Sequence, residues 1–368
     1  MTRLAIAQLV PALDLGGVER GTLEIGRAIV AAGHRSIVIS DGGRLVKRLV
    51  REGSEHIEWP IGAKSPLTLR FTAKLDALMR AQRIDIIHAR SRVPAWIGWL
   101  AWRRMPPAMR PRLVTTVHGM YSVSRYSEVM TYGERVIAVS RAVADYISRA
   151  YPRCLEDRVR IIPNGVSAQE FPYGYVPDPG WRNRWEHDCP FVKGKRLVTL
   201  ISRITGWKGH ELFIEVLAKL GKTHRDAHGL IVGTGRPRRM AALKRLATRL
   251  DAPVSLLGRR DDVREIIASS ALVVSTSTQP EAFGRTVLEA LRLGTPVAGF
   301  DHGGVGEILS DVFPPGRVAV GDVNALTERI AHFLDNPPRV PRSDAYSLDA
   351  TQSSTIRLYE ELARIPPR

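Results

Sequence analysis

Short runs of β-branched and apolar residues alternate with stretches of helical period along most of this chain. Residues 3–9, 35–40, 84–89, 113–117 and 136–140 have the character of strands covered on both faces. Between them, 18–32, 67–82, 94–104 and 141–151 repeat apolar positions every three or four residues, which predicts helices with one buried face. The rhythm returns in the second half. Strands are expected at 196–202, 229–232, 254–257, 272–276 and 296–300, with helices at 209–220 and 237–250 and another that starts near Gly284 and ends at Gly294. A Gly-rich turn at 302–306 then leads into a further helix. Such alternation predicts βαβ units, parallel sheets and ligand sites at the C-terminal ends of the strands.

The rhythm breaks once, at 166–195, where Pro, Gly and aromatics gather (QEFPYGYVPDPGWRNRW) and predict an inter-domain connection. The expected organisation is an α/β chain with two doubly wound parallel-sheet domains, at 1–165 and 196–348, joined by a linker at 166–195. A last helix, about 349–368, is a candidate to pack back on the first domain. A length of 368 residues suits two domains of ordinary size.

Composition changes this picture in two ways. No run of 18 apolar residues appears, and the N-terminus reads as a first strand rather than a signal peptide, so a cytoplasmic protein is expected. The formal net charge is +17, most of it in the first 150 residues, which favours anionic partners. Nucleic acid is one such partner. The chain has no recognised nucleic-acid motif, however, and its aromatics do not line a strand face, so none is expected. Cys154 and Cys189, the only cysteines, form no metal spacing, and no D-x-D element reads as a metal site.

Candidate chemistry gathers after strands. In 272–307 (LVVSTSTQPEAFGRTVLEALRLGTPVAGFDHGGVGE), Glu281 precedes a helix and Glu289 lies inside it. A strand–loop–helix junction suits a phosphate, because free backbone N–H groups and the helix dipole face it. Carboxylates on either side suit a ligand with hydroxyls at both ends of a diphosphate, which describes a nucleotide sugar. In SRITGWKG, Arg203 and Lys208 follow a strand and could neutralise that diphosphate. Gly16 and Gly17 open the first helix, either as a tight turn or as N–H groups near a phosphate. Gly233 and Gly235 (VGTG) allow a ligand's close approach or an ordinary turn, and Arg260 is placed to border a nucleobase. His118 ends a strand, where it could meet a sugar hydroxyl or a backbone carbonyl. No acidic residue occurs between Asp85 and Glu128. There Arg90 and Arg92 are candidates to read phosphate or carboxylate groups of an acceptor. Trp96, Trp99 and Trp102 either pack into the core or, with the neighbouring arginines, meet an anionic lipid surface.

Taken together the motifs resemble the family 4 glycosyltransferases, a group of retaining enzymes with the GT-B fold. The matching pieces are LGGVERGTLEIGRAIVAAGH near the start, VHG at 117–119, VIAVSRAVADYI at 136–147, RIIPNGV at 160–166, SRITGWKG at 202–209, LIVGTG at 230–235, LLGRRDDV at 256–263 and EAFGRTVLEALRLGTPV at 281–297. The ordered set is more specific than any single piece, and the Glu281-x7-Glu289 element is the most specific of them. The resemblance implies two Rossmann-like domains facing a central cleft, with closure about the connection. It implies that Glu281 contacts the donor sugar's hydroxyls and that the backbone of Ala282, Phe283 and Gly284 approaches sugar and phosphates, with Val287 on the same helix. Glu289 would bind the ribose, Arg203 and Lys208 the diphosphate with Gly17 beside it, and His118 the sugar near the reacting carbon. Retention of configuration without a metal or other cofactor is implied too. The expected partners are a nucleotide-sugar donor, foremost a UDP-sugar, and an anionic glycan or lipid-linked acceptor such as lipopolysaccharide core, with peripheral contact at the inner face of the cytoplasmic membrane. A GT-B epimerase or phosphorylase is the alternative enzyme.

Overall fold

The computed structural model describes residues 3–14 and 16–365. They fold into two compact units, one comprising the chain up to Gly165 together with the segment from Leu348, the other Val166–Ser347.

The first unit is built on strands β1 (Ala5–Leu9), β2 (Arg35–Ser40), β3 (Glu55–Glu58), β4 (Ile86–Ala89), β5 (Arg112–Val117), β6 (Arg135–Ala138) and β7 (Val159–Ile161). Among the described residues they form one sheet in the order β3-β2-β1-β4-β5-β6-β7, with parallel pairing throughout. Successive residues of a strand face opposite sides, and here both sides are covered. Ala7, Ile87 and Leu113 join Phe71, Leu75 and Ile97 from helices Phe71–Ala81 and Arg92–Arg104. Their strand neighbours Ile6, Ile86 and Val114 join Ile25 and Ile29 from Gly17–Ala31 on the other face, with Leu358 and Leu362 from Leu348–Arg364. The last helix therefore packs on the first sheet. Its Tyr359 is fully buried and its hydroxyl lies 2.6 Å from His88 Nδ1.

Trp99 and Trp102 pack against the core of this unit. The Trp102 indole donates to the Pro111 carbonyl at 2.8 Å, and Arg110 and Arg103 lie over Trp102 and Trp99. Trp99 and Trp102 are therefore packing residues, while Trp96 donates to the Tyr126 carbonyl and Arg103 and Arg104 at the helix end are exposed.

The second unit has strands β8 (Arg196–Ile201), β9 (Ala227–Val232), β10 (Val254–Gly258), β11 (Leu272–Ser275), β12 (Val297–Phe300) and β13 (Arg317–Val318), in the order β10-β9-β8-β11-β12-β13, again parallel. Much of the expected linker is folded into this unit. Residues Pro179–Asp188 form a helix capped by Asp178, whose carboxylate accepts from the Trp181 N–H at 3.2 Å. Trp185, Cys189 and Val192 pack with Leu197, Leu230 and Ile266 in its core. Pro179 reads as a breaker in sequence, yet the first turn of a helix is where proline is favoured. The Gly-rich turn at 302–306 is likewise mostly helix, Gly303–Val312.

Candidate functional site

Strand order reverses in each sheet at a pair of neighbours, β1 beside β4 and β8 beside β11. The loops leaving such a pair diverge to opposite faces and leave a crevice, the usual ligand site of open α/β sheets. Several of the candidate residues lie at these two places, while Gly233, Gly235, Arg260 and His118 follow neighbouring strands.

In the second unit, one loop leaves β8 at Ser202 and passes through a tight turn, Gly206–Lys208, into helix His210–Leu220. The other leaves β11 at Thr276 and enters helix Arg285–Leu293. The loops are stitched together. The Thr278 N–H donates to the Trp207 carbonyl at 2.7 Å, and Thr276 Oγ1 donates to the Gly209 carbonyl at 2.9 Å. Gly209 has φ +68°, and a Cβ there would lie 1.9 Å from the Thr276 carbonyl oxygen, so the approach requires glycine.

This stitching brings Lys208 to Glu281. The ammonium lies 2.7 Å from Glu281 Oε2, and the Ser277 hydroxyl donates to Oε1. The backbone of Glu281 is fixed from the helix that follows β12, Gly303–Val312. The Gly304 N–H donates to the Glu281 carbonyl at 2.8 Å, and a Cβ on Gly304 would stand 2.4 Å from Phe283 backbone atoms. His302 Nε2, which must carry its proton there, donates to the Ser277 carbonyl at 2.7 Å. Ser277, His302, Gly303 and Gly304 were not among the expected site residues. The signal for the last three was the His-Gly-Gly run itself, which read as a turn. The Glu281 and Lys208 side chains remain 18% and 13% exposed, so the pair is oriented yet still within reach of a ligand. With Ser202, Gly284 and Val287 they line one small cavity.

The remaining expected donor residues differ in what they touch. Glu289 is 4% exposed and its carboxylate meets the Arg285 Nε at 3.2 Å within the same helix. Phe283 turns its ring inward against Tyr346, which leaves its backbone to the loop beside Ala282 and Gly284. Arg203 is exposed just past β8. Arg260 makes a two-point contact with Asp262, at 2.8 and 2.6 Å, and stacks over Trp185. Gly233 and Gly235 have a backbone reason to be glycine: Cβ atoms there would lie 1.9 Å from the Ser202 carbonyl and 2.6 Å from Ile204.

In the first unit, Gly16 and Gly17 open helix Gly17–Ala31 beyond β1, and a side chain at Gly17 would meet nothing. Arg90, past β4, does not face outward as an acceptor reader would. It is 4% exposed, its Nη1 donates to Gln8 Oε1 at 3.2 Å, and its Nε is enclosed without a partner. Gly21 leaves room for the guanidinium beneath its helix, since a Cβ there would stand 3.0 Å from Arg90 Nη2. Arg92 lies over the rings of Tyr121 and Tyr126, at 4.6 and 5.2 Å, and donates to Ser127 Oγ. His118 is half-buried and its Nε2 is enclosed without a partner. Burial first, and then the positive Arg90, hold its imidazole well below the ordinary histidine range, hence neutral. Arg90, His88 and His118 line a cavity with Thr116 and Glu24.

Two parallel-sheet units with polar residues at both reversal points define a two-domain α/β protein of the GT-B class. Residues 15–170 match the model of Glycosyltransferase Family 4, and residues 182–348 match that of Glycosyl transferases group 1. The chain belongs to the family 4 glycosyltransferases. It is 25% identical over 317 residues to a component of human phosphatidylinositol N-acetylglucosaminyltransferase, covering 81% of this chain and 62% of that protein's length. It superposes on a glycosyltransferase from Rickettsia africae with a TM-score of 0.85 and 28% identity, over 99% of this chain and 100% of that one. The Anabaena protein HepE, crystallised with UDP and glucose, shares the fold with a TM-score of 0.83 at 21% identity, over 98% and 100% of the two chains.

Proposed function

We propose that this protein is a retaining glycosyltransferase that moves a sugar from a UDP-sugar to an anionic glycan or glycolipid acceptor, such as a lipopolysaccharide core, without a divalent metal. The observation that carries the reading is the Glu281 carboxylate, held between Lys208 and Ser277 just before a helix N-terminus at the β8/β11 reversal. Glu281 then accepts from hydroxyls of the donor sugar. Lys208 and Arg203 take up the charge that develops on the departing diphosphate. Glu289 serves the ribose, and the neutral His118 offers a hydrogen bond to the sugar. The departing diphosphate receives the acceptor's proton as the acceptor attacks on the same face.

A UDP-sugar is favoured by HepE, whose crystal holds UDP and glucose, and a lipid-linked acceptor by the human relative's name. Arg92, with its two tyrosines, is the acceptor-side candidate, and the exposed Arg103 and Arg104 suit an anionic membrane surface. Thermal-shift measurements with UDP-, GDP- and ADP-sugars test the donor, because a ligand bound only by the folded state raises the melting temperature. A rise confined to UDP-sugars is expected, and no rise with any of them defeats the reading. UDP release that requires an acceptor distinguishes transfer from epimerisation.

A further inference from the structure

Ser202 lines the cavity at the β8/β11 reversal and His210 lies behind it, neither with a role in the mechanism above. Ser202 is half-buried, is the first residue beyond β8, and lines the cavity beside Lys208 and Glu281. His210 opens the helix His210–Leu220 and is completely buried. Its Nε2 lies 3.2 Å from Ser202 Oγ, while its Nδ1 is enclosed without a partner.

Those two facts select a tautomer. A proton on Nδ1 would strand a buried N–H donor, which native structures avoid more strictly than an under-used acceptor. With the proton on Nε2, the imidazole donates to Ser202 Oγ and only a lone pair is left unpaired. The imidazole is neutral, because burial first, and then the positive Arg239 and Lys208, lower it to about 4. Ser202 then accepts from His210 and keeps its own proton to give. Among the described residues that proton has only the Arg203 carbonyl at 3.5 Å, the outer limit of a hydrogen bond.

We propose that Ser202 is a further diphosphate-binding residue of the donor site, and that His210 is a positioning residue that turns the Ser202 hydroxyl proton toward a phosphate oxygen. The inference rests on the nucleotide-sugar reading. No bond is made or broken; the hydroxyl donates a charge-assisted hydrogen bond.

Calorimetry with UDP, or with GDP or ADP should the wild-type protein bind one of those instead, tests it on Ser202→Ala, His210→Ala, His210→Gln and the double alanine variant. Ser202→Ala is expected to weaken binding about tenfold or more, the worth of a hydrogen bond to a charged group. His210→Ala should lose part of that, and the double variant no more than Ser202→Ala alone. His210→Gln, whose amide nitrogen can stand where Nε2 stood, should restore most of the affinity. Wild-type affinity in Ser202→Ala overturns the inference while leaving the donor reading intact. Additive losses in the double variant, or a failed rescue by glutamine, overturn the positioning role. A wild-type protein that binds no nucleoside diphosphate overturns the donor reading and this inference with it. Ser202→Ala removes one half-buried hydroxyl, so that arm decides the matter even if His210→Ala does not fold.

Discussion

At the scale of single residues, the site depends on how Glu281 is held. Its carboxylate has partners on both oxygens and its carbonyl is bound from the next helix, so the side chain is held in one orientation. Glu281→Gln keeps the shape and removes the charge. It should lower kcat/KM on the donor by about 100-fold with a small change in melting temperature, since a part-exposed ion pair contributes at most about 1 kcal/mol. Steady-state kinetics beside calorimetry check this. The buried histidines set the response to acid. His88, His118 and His210 all bind protons less readily folded than unfolded. A histidine whose folded value lies below its unfolded 6.5 takes up its proton on unfolding. Stability is therefore full above that value and is lost as pH falls toward about 4, the value for His210. Urea midpoints should drop between neutral and acid pH, and His210→Gln should drop less. Glu281 and His118 could be named from sequence because polar types after a strand are conspicuous, but His88 and His210 were not. The inward turn of Arg90 was hidden too, since it depends on Gly21 of another element.

At the scale of elements, the helix Arg285–Leu293 was fully legible. Glycines bound it at both ends, with φ values of +100° and +89°, and local conformational preference decides such boundaries. The start of the next helix was not legible. Gly303, Gly304 and Gly306 looked like a turn because glycine weakens a helix, yet they lie in the helix: Gly303 and Gly304 let its backbone reach Glu281 and Phe283, and Gly306 lies against Asp301. Gly304→Ala should therefore hurt where an ordinary helix would gain. A Cβ 2.4 Å from Phe283 forces the loop away, which predicts a loss of about 2 kcal/mol or more together with weaker donor binding. Denaturant unfolding and calorimetry on one preparation would check both parts. Helix Pro179–Asp188 was hidden for a related reason: its Pro and Gly suggest a linker, and only Trp185 in the core explains its order.

At the scale of the whole molecule, a net charge of +17 governs encounters with anionic partners. Among the described residues no helix is long and apolar enough to cross a membrane. The exposed end of helix Arg92–Arg104 offers Arg103 and Arg104, each worth about 1 kcal/mol beside an anionic surface. Arg103→Glu/Arg104→Glu should reduce co-sedimentation with phosphatidylserine vesicles at low salt and leave binding to neutral vesicles unchanged. High salt should erase the difference.

The sequence by itself determined the alternation of strands and helices, the α/β class and the family, because these follow from local periodicity and from motifs read in order along one chain. Tertiary structure decided which side chains meet. The Lys208–Glu281 pair, the His210–Ser202 contact and the return of the last helix to the first sheet join residues that no single motif contains. Such meetings depend on strand order and on the space that glycines leave between backbones, and neither is encoded in any single stretch.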